Sequence, residues 1–62
     1  MTGNDIKRLR QRLLLLQTEF ADELGVSVST IRFWEENVMG ISIKRQRQIL
    51  EYCKNKGIEI WD

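Results

Sequence analysis

A chain of 62 residues, 42% hydrophobic and 31% charged, makes one small globular domain. Its single core is worth roughly 3–5 kcal/mol without staples. One cysteine and no histidine exclude an internal disulfide, and exclude a zinc site built by this chain alone. No apolar run approaches the ~20 residues of a membrane span and no signal peptide is recognisable, so the expected place is the cytoplasm of a bacterium or a phage-infected host, away from membranes.

Met1 to Gly3 reads as a loose end. A first helix is predicted from about Asn4 to Leu14, capped by Thr2 or Asn4, with Asp5 near its positive end. Ile6, Leu9 and Leu13 form its apolar stripe, and Arg10 lies beside that stripe. Leu14, Leu15 and Leu16 follow. Three leucines in so short a connection cannot all face inward, so at least one is expected in solvent or against a second molecule.

A second helix is predicted from Gln17 to Leu24, with Phe20, Ala21 and Leu24 on one apolar face. Gly25 permits the positive backbone angle of a sharp exit. Val26 is an apolar plug after the turn, and Ser27 is placed to cap the next helix. That third helix, about Val28 to Glu36, turns Ile31 and Trp34 inward. Val28, Ser29, Arg32 and Phe33 fall on its outer side. Ala21 is small where two helices cross. Two short helices around a glycine turn make a helix-turn-helix.

The segment resembles the helix-turn-helix family of phage repressors and Cro proteins. Members read Gln-x-x-Leu-Ala-x-x-x-Gly-Val-Ser-x-x-x-Ile-x-x-Trp-Glu. This chain has Gln17, Phe20, Ala21, Gly25, Val26, Ser27, Ile31, Trp34 and Glu35 at those places, with Phe20 for Leu as the one departure. Two further departures lie just upstream. Leu14 stands where the family has Gly, and Leu16 where it has the Ser or Thr that caps the second helix, a loss of roughly 0.5–2 kcal/mol. The MerR-type reader also resembles Val28–Glu35, but that family begins at its helix pair, whereas here a full helix comes first.

Glu36 to Ile41 reads as a loop. Asn37, at a place where the family has Gly, suits the left-handed conformation that ends a helix. Val38, Met39 and Ile41 make the loop apolar where relatives carry basic residues. Ser42 is the expected cap of a fourth helix, about Ile43 to Asn55, with Ile43, Ile49, Leu50 and Cys53 as its apolar positions. Lys44, Arg45 and Arg47 crowd its start, against the dipole, which hints at an external anion. Gly57 ends the helix. Ile58, Glu59, Ile60 and Trp61 then alternate as a strand would, either as an extended arm or as a ribbon paired with a symmetry mate. The resemblance offers Cro-like precedent for the ribbon.

The expected fold is therefore all-α: a small four-helix, or five-helix, lambda-repressor-like domain spanning 1–62. Its helix-turn-helix core is 17–36 and its short extended tail 57–62. The predicted core is Ile6, Leu9, Leu13, Phe20, Ala21, Leu24, Val26, Ile31, Trp34, Ile49, Leu50 and Cys53.

The resemblance implies a regulator that binds double-stranded DNA, read as a repressor acting as a dimer on its operator. The major groove admits one α-helix, so Val28, Ser29, Arg32 and Phe33 become the base-reading candidates. Phe33 packs on a sugar or methyl, or else turns back to widen the core. Gln17, Thr18, Ser27, Asn37, Lys44 and Arg45 are the candidates for phosphate. The resemblance also implies a largely buried ion pair between Arg10 and Glu35. A homodimer is expected through the tail or the Val38–Ile41 loop. The alternative is a protein-interaction module, or antitoxin-type autoregulator, on the same scaffold, favoured by the net charge of only +1, the run Leu13–Leu16 and the apolar loop. An enzyme is disfavoured, since no nucleophile–base pair and no phosphate-cradling glycine loop is present. No cofactor, metal or small-molecule ligand is expected.

Overall fold

A computed structural model describes residues 1–58. Among them are four helices: α1 (Gly3–Arg12), α2 (Gln17–Leu24), α3 (Val28–Glu35) and α4 (Ile43–Lys56). The all-α expectation holds, and the four-helix form rather than the five-helix one is what these residues adopt. Of the strand-like alternation predicted over Ile58 to Trp61, all but Ile58 lies outside the described residues.

Each helix starts on a device written locally. At α1 the Thr2 hydroxyl accepts from the Asp5 N–H, and the Asp5 carboxylate accepts from the Thr2 N–H at 2.8 Å, a reciprocal capping box. Thr2, not Asn4, is the cap. Ser27 and Ser42 cap α3 and α4 through their hydroxyls. Leu16 has no side-chain acceptor to offer α2. Half a capping box remains, because its own N–H donates to the Glu19 carboxylate at 2.8 Å.

The four helix ends share one geometry. After α2 the chain turns at Gly25, φ +69°, with the Val26 N–H returning to the Ala21 carbonyl at 3.0 Å. After α1 the same turn is made by Leu14, φ +57°, with the Leu15 N–H on the Arg10 carbonyl at 3.1 Å. Asn37, φ +57°, does it after α3, and Gly57 after α4. All four are Schellman closures, in which the residue past the left-handed one bonds back to the last full turn. Replacing the family's glycine by Leu14 therefore did not change the exit. It left a bulky residue in a conformation that costs an L-amino acid roughly 1–2 kcal/mol.

The core is Ile6, Leu9, Phe20, Ala21, Leu24, Ile31, Trp34, Ile49 and Cys53, with α3 packed on both α1 and α2. Leu13 and Val26, expected inside, are half-buried at its margin. So is Leu15, while Leu14 is 90% and Leu16 67% exposed. Leu50 is a correction: it is 46% exposed, and Ile43, seven residues earlier on the same side of α4, is exposed too. The inward stripe of α4 runs instead through Ile49, Tyr52 and Cys53, with Arg45 and Gln48 one turn before. Residue 50 is rotated by about a quarter-turn from residue 49, so a helix that seats Ile49 against the bundle turns Leu50 away.

Gly3 is a second correction. It is not part of a loose end but buried in the first turn of α1. A Cβ there would lie 2.7 Å from the Glu35 carbonyl oxygen and against that of Trp34. The absence of a side chain lets the start of α1 dock on the end of α3, where its N–H donates to the Asn37 side-chain oxygen at 3.0 Å.

Candidate nucleic-acid interface

The candidate reading helix, α3, is held from behind. Ile31 and Trp34 are buried, while Ser29 and Arg32 stand in solvent on the opposite side and Val28 is half-buried at the first turn. Phe33 is 41% exposed, so it has not turned back into the core. The sequence pattern of α3 produces this division. Two large apolar residues three apart fix one face, and the residues between them have nowhere to go but out.

Orientation comes from a polar cluster at the crossing of the first three helices. The Arg10 guanidinium donates from Nε to Glu35 Oε2 at 2.7 Å and from Nη2 to Oε1 at 3.1 Å. Nη1 goes to the Leu15 carbonyl at 3.1 Å. The side chains of Arg10 and Glu35 are 15% and 5% exposed. The hydrogen bond to Glu35 raises the Arg10 pKa above its ordinary value, against a smaller desolvation effect in the other direction. A bidentate pair of this kind fixes angle as well as distance. It ties the end of α3 to α1 and to the connection after it, so the helix presents one face.

The phosphate candidates fall into two sets. At the start of α2, Thr18 is exposed, whereas the Gln17 side-chain amide reaches Glu35 Oε1 at 3.3 Å and joins the Arg10 cluster. Ser27 bonds the Thr30 N–H at 3.2 Å and the Thr30 hydroxyl at 3.0 Å. The Asn37 oxygen is engaged with Gly3, which leaves its amide nitrogen as donor. At α4, Lys44 is exposed, and Arg45 is half-buried with Nη1 on Gln48 Oε1 at 2.7 Å.

Two concavities flank α3. One, of about 430 Å³, lies between the starts of α2 and α3 and is lined by Arg10, Leu16, Gln17, Thr18, Val28 and Arg32. The other, of about 490 Å³, lies between the α2–α3 turn and the start of α4, with Ser27, Thr30, Ser42 and Arg45 among its walls. The sequence candidates Gln17, Thr18, Val28 and Arg32 thus meet at one groove, and Ser27 and Arg45 at the other. Ser29 and Phe33 line neither.

Sequence reasoning passed over Gln48 and Tyr52. The Gln48 amide donates to the Leu24 carbonyl at 2.6 Å and satisfies the end of α2. Tyr52 packs edge-on against Phe20, centroids 6.1 Å apart, and its hydroxyl donates to Glu23 at 3.2 Å. Burial, then Glu23, raises the Tyr52 pKa. The signal for Tyr52 was present: positions 49, 52, 53 and 56 have helical spacing. The half-buried Gln46 amide donates to the Ile41 carbonyl at 2.9 Å.

Among the described residues no helix is long and apolar enough to cross a membrane, and no group of His, Cys, Asp and Glu is arranged to hold a metal ion. A model of the helix-turn-helix family matches residues 6–60. No curated protein and no solved structure matches the chain.

Proposed function

The chain belongs to the phage-repressor and Cro-like helix-turn-helix family, a family of DNA-binding regulators, and from that premise we propose that it is a sequence-specific repressor that binds its operator as a dimer. The observation that carries the reading is the division of α3. Its inner residues are locked in the core while Ser29, Arg32 and Phe33 are held outward on a helix whose angle the Arg10–Glu35 pair sets.

Arg32 is the one reader able to bond guanine O6 and N7 together, which is worth ~1–3 kcal/mol of discrimination. Ser29 donates or accepts, and Val28 and Phe33 offer apolar surface to bases or sugars. Gln17, Thr18, Ser27, Asn37, Lys44 and Arg45 set register on phosphates. Two copies place their third helices in successive major grooves, about 34 Å apart. The exposed Val38 and Met39 support the Val38–Ile41 loop as the contact between copies. The protein acts in the cytoplasm, where its DNA target lies.

A second reading, a protein-interaction module, draws on the exposed Leu14, Leu16, Val38 and Ile43. Selection from a random duplex pool, followed by salt titration of the selected site, separates the two. A regulator returns a half-site and its symmetry, and binding weakens steeply with salt through counterion release. Arg32→Ala then relaxes preference at one base pair. Failure to bind any duplex at low salt would leave the interaction module standing.

A further inference from the structure

Leu16 occupies the position where a polar cap belongs, and it is exposed beside the reading face rather than tucked against the core. It lines the 430 Å³ groove with Val28, so that groove has two aliphatic walls. Among its polar lining residues, Arg10 is committed to Glu35 and the Leu15 carbonyl, and the Gln17 amide reaches Glu35. Arg32, at the same groove, makes no hydrogen bond or ion pair among the described residues. An occupant must therefore set an apolar group against Leu16 and Val28 while offering acceptors to Arg32 alongside. In the DNA major groove the apolar feature is the 5-methyl group of a pyrimidine, and the paired acceptors that suit Arg are guanine O6 and N7. Both are present wherever a methylated pyrimidine neighbours a guanine.

Resting on the DNA-binding reading above, we propose that this groove receives the 5-methyl group of a thymine or 5-methylcytosine next to the guanine bound by Arg32, with Leu16 as a specificity-determining residue. Leu16 acts by contact with the methyl group and Val28 closes the other side.

The test uses the duplex that selection returns, with each thymine replaced singly by deoxyuridine. That change deletes a methyl group and leaves every hydrogen-bonding edge intact. One thymine per half-site, beside the conserved guanine, should weaken binding about four-fold when replaced, the worth of burying one methyl group. Cytosine and then 5-methylcytosine at that position separate the two sources: recovery with 5-methylcytosine assigns the groove to the methyl group itself, and no recovery confines it to thymine. Leu16→Ala alters an exposed side chain, so helicity by circular dichroism should be unchanged, while the thymine-to-uracil ratio falls toward one at an unchanged salt slope. Val28→Ala should lower the same ratio. Equal binding of thymine and uracil duplexes throughout, a selected site with no pyrimidine methyl beside the guanine, or a four-fold ratio that survives Leu16→Ala would each overturn the assignment while DNA binding itself stands. No binding to any duplex would remove both.

Discussion

Leu14→Gly should make this protein more stable, although it deletes a whole leucine side chain. Leu14 holds φ +57° and its side chain is 90% exposed, so the substitution gives up almost no burial. Glycine removes the left-handed cost of roughly 1–2 kcal/mol. It returns roughly 0.5–1 kcal/mol because the unfolded chain gains freedom. The net is a stabilisation of about 0.5–1 kcal/mol, a sizeable share of what so small a core supplies. Leu14→Ala is the control, since it also lacks the exposed side chain but keeps the unfavourable φ. Urea unfolding followed by circular dichroism should place glycine above both alanine and wild type, with an unchanged slope. Thermal midpoints should rise by about 2–8 °C, scaled from the usual response of domains of this size. A glycine variant no more stable than the alanine variant would mean that the chain does not leave α1 through a left-handed residue 14.

Three other outcomes are expected. Arg10→Ala strands the Glu35 carboxylate, 5% exposed, without its guanidinium, and should cost ~3 kcal/mol in chemical denaturation, enough to unfold much of the population; a loss under ~1 kcal/mol would show the pair to be solvated. Gly3→Ala should destabilise by about 1–3 kcal/mol despite alanine's better helix propensity, because the new Cβ meets the carbonyl oxygens of Trp34 and Glu35; thermal melting reads it directly. Burial raises the Cys53 thiol above its ordinary pKa, and burial with Glu23 raises the Tyr52 phenol. The folded state then keeps protons that the unfolded chain has released, so stability is full below the ordinary values and falls as pH climbs through the raised ones. Urea midpoints measured from neutral to strongly alkaline pH should decline, and Cys53 should react with a disulfide reagent only as fast as the protein opens.

Much of the fold was legible because its instructions are local. Phe20, Ala21 and Leu24 at helical spacing, Gly25 after them and Ser27 before Val28 each act within one or two turns, so α2 and α3 could be bounded to within a residue. The same holds for the Ser42 cap of α4. The division of α3 into an inner Ile31 and Trp34 and an outer Ser29 and Arg32 needs only the 3.6-residue period. Leu50 was misread because hydrophobicity alone cannot tell which of two adjacent residues faces the bundle. The rotation of α4 is set by Ile49, Cys53 and the partly buried Tyr52, together with the Gln48 bond to the Leu24 carbonyl 24 positions away.

By itself the sequence determined the helix-turn-helix, its caps and the outward set on α3, because hydrogen bonds and periodicity inside one helix need no distant partner. Tertiary structure decided what lay between helices. Gly3 had no local reason to be buried until the end of α3 came within reach of its backbone. The Gln17 amide gained a partner within the protein only when Glu35 arrived beside it. Leu16 and Val28 are 12 positions apart, and they became two walls of one groove only when the crossing of α2 and α3 brought the two helix starts together.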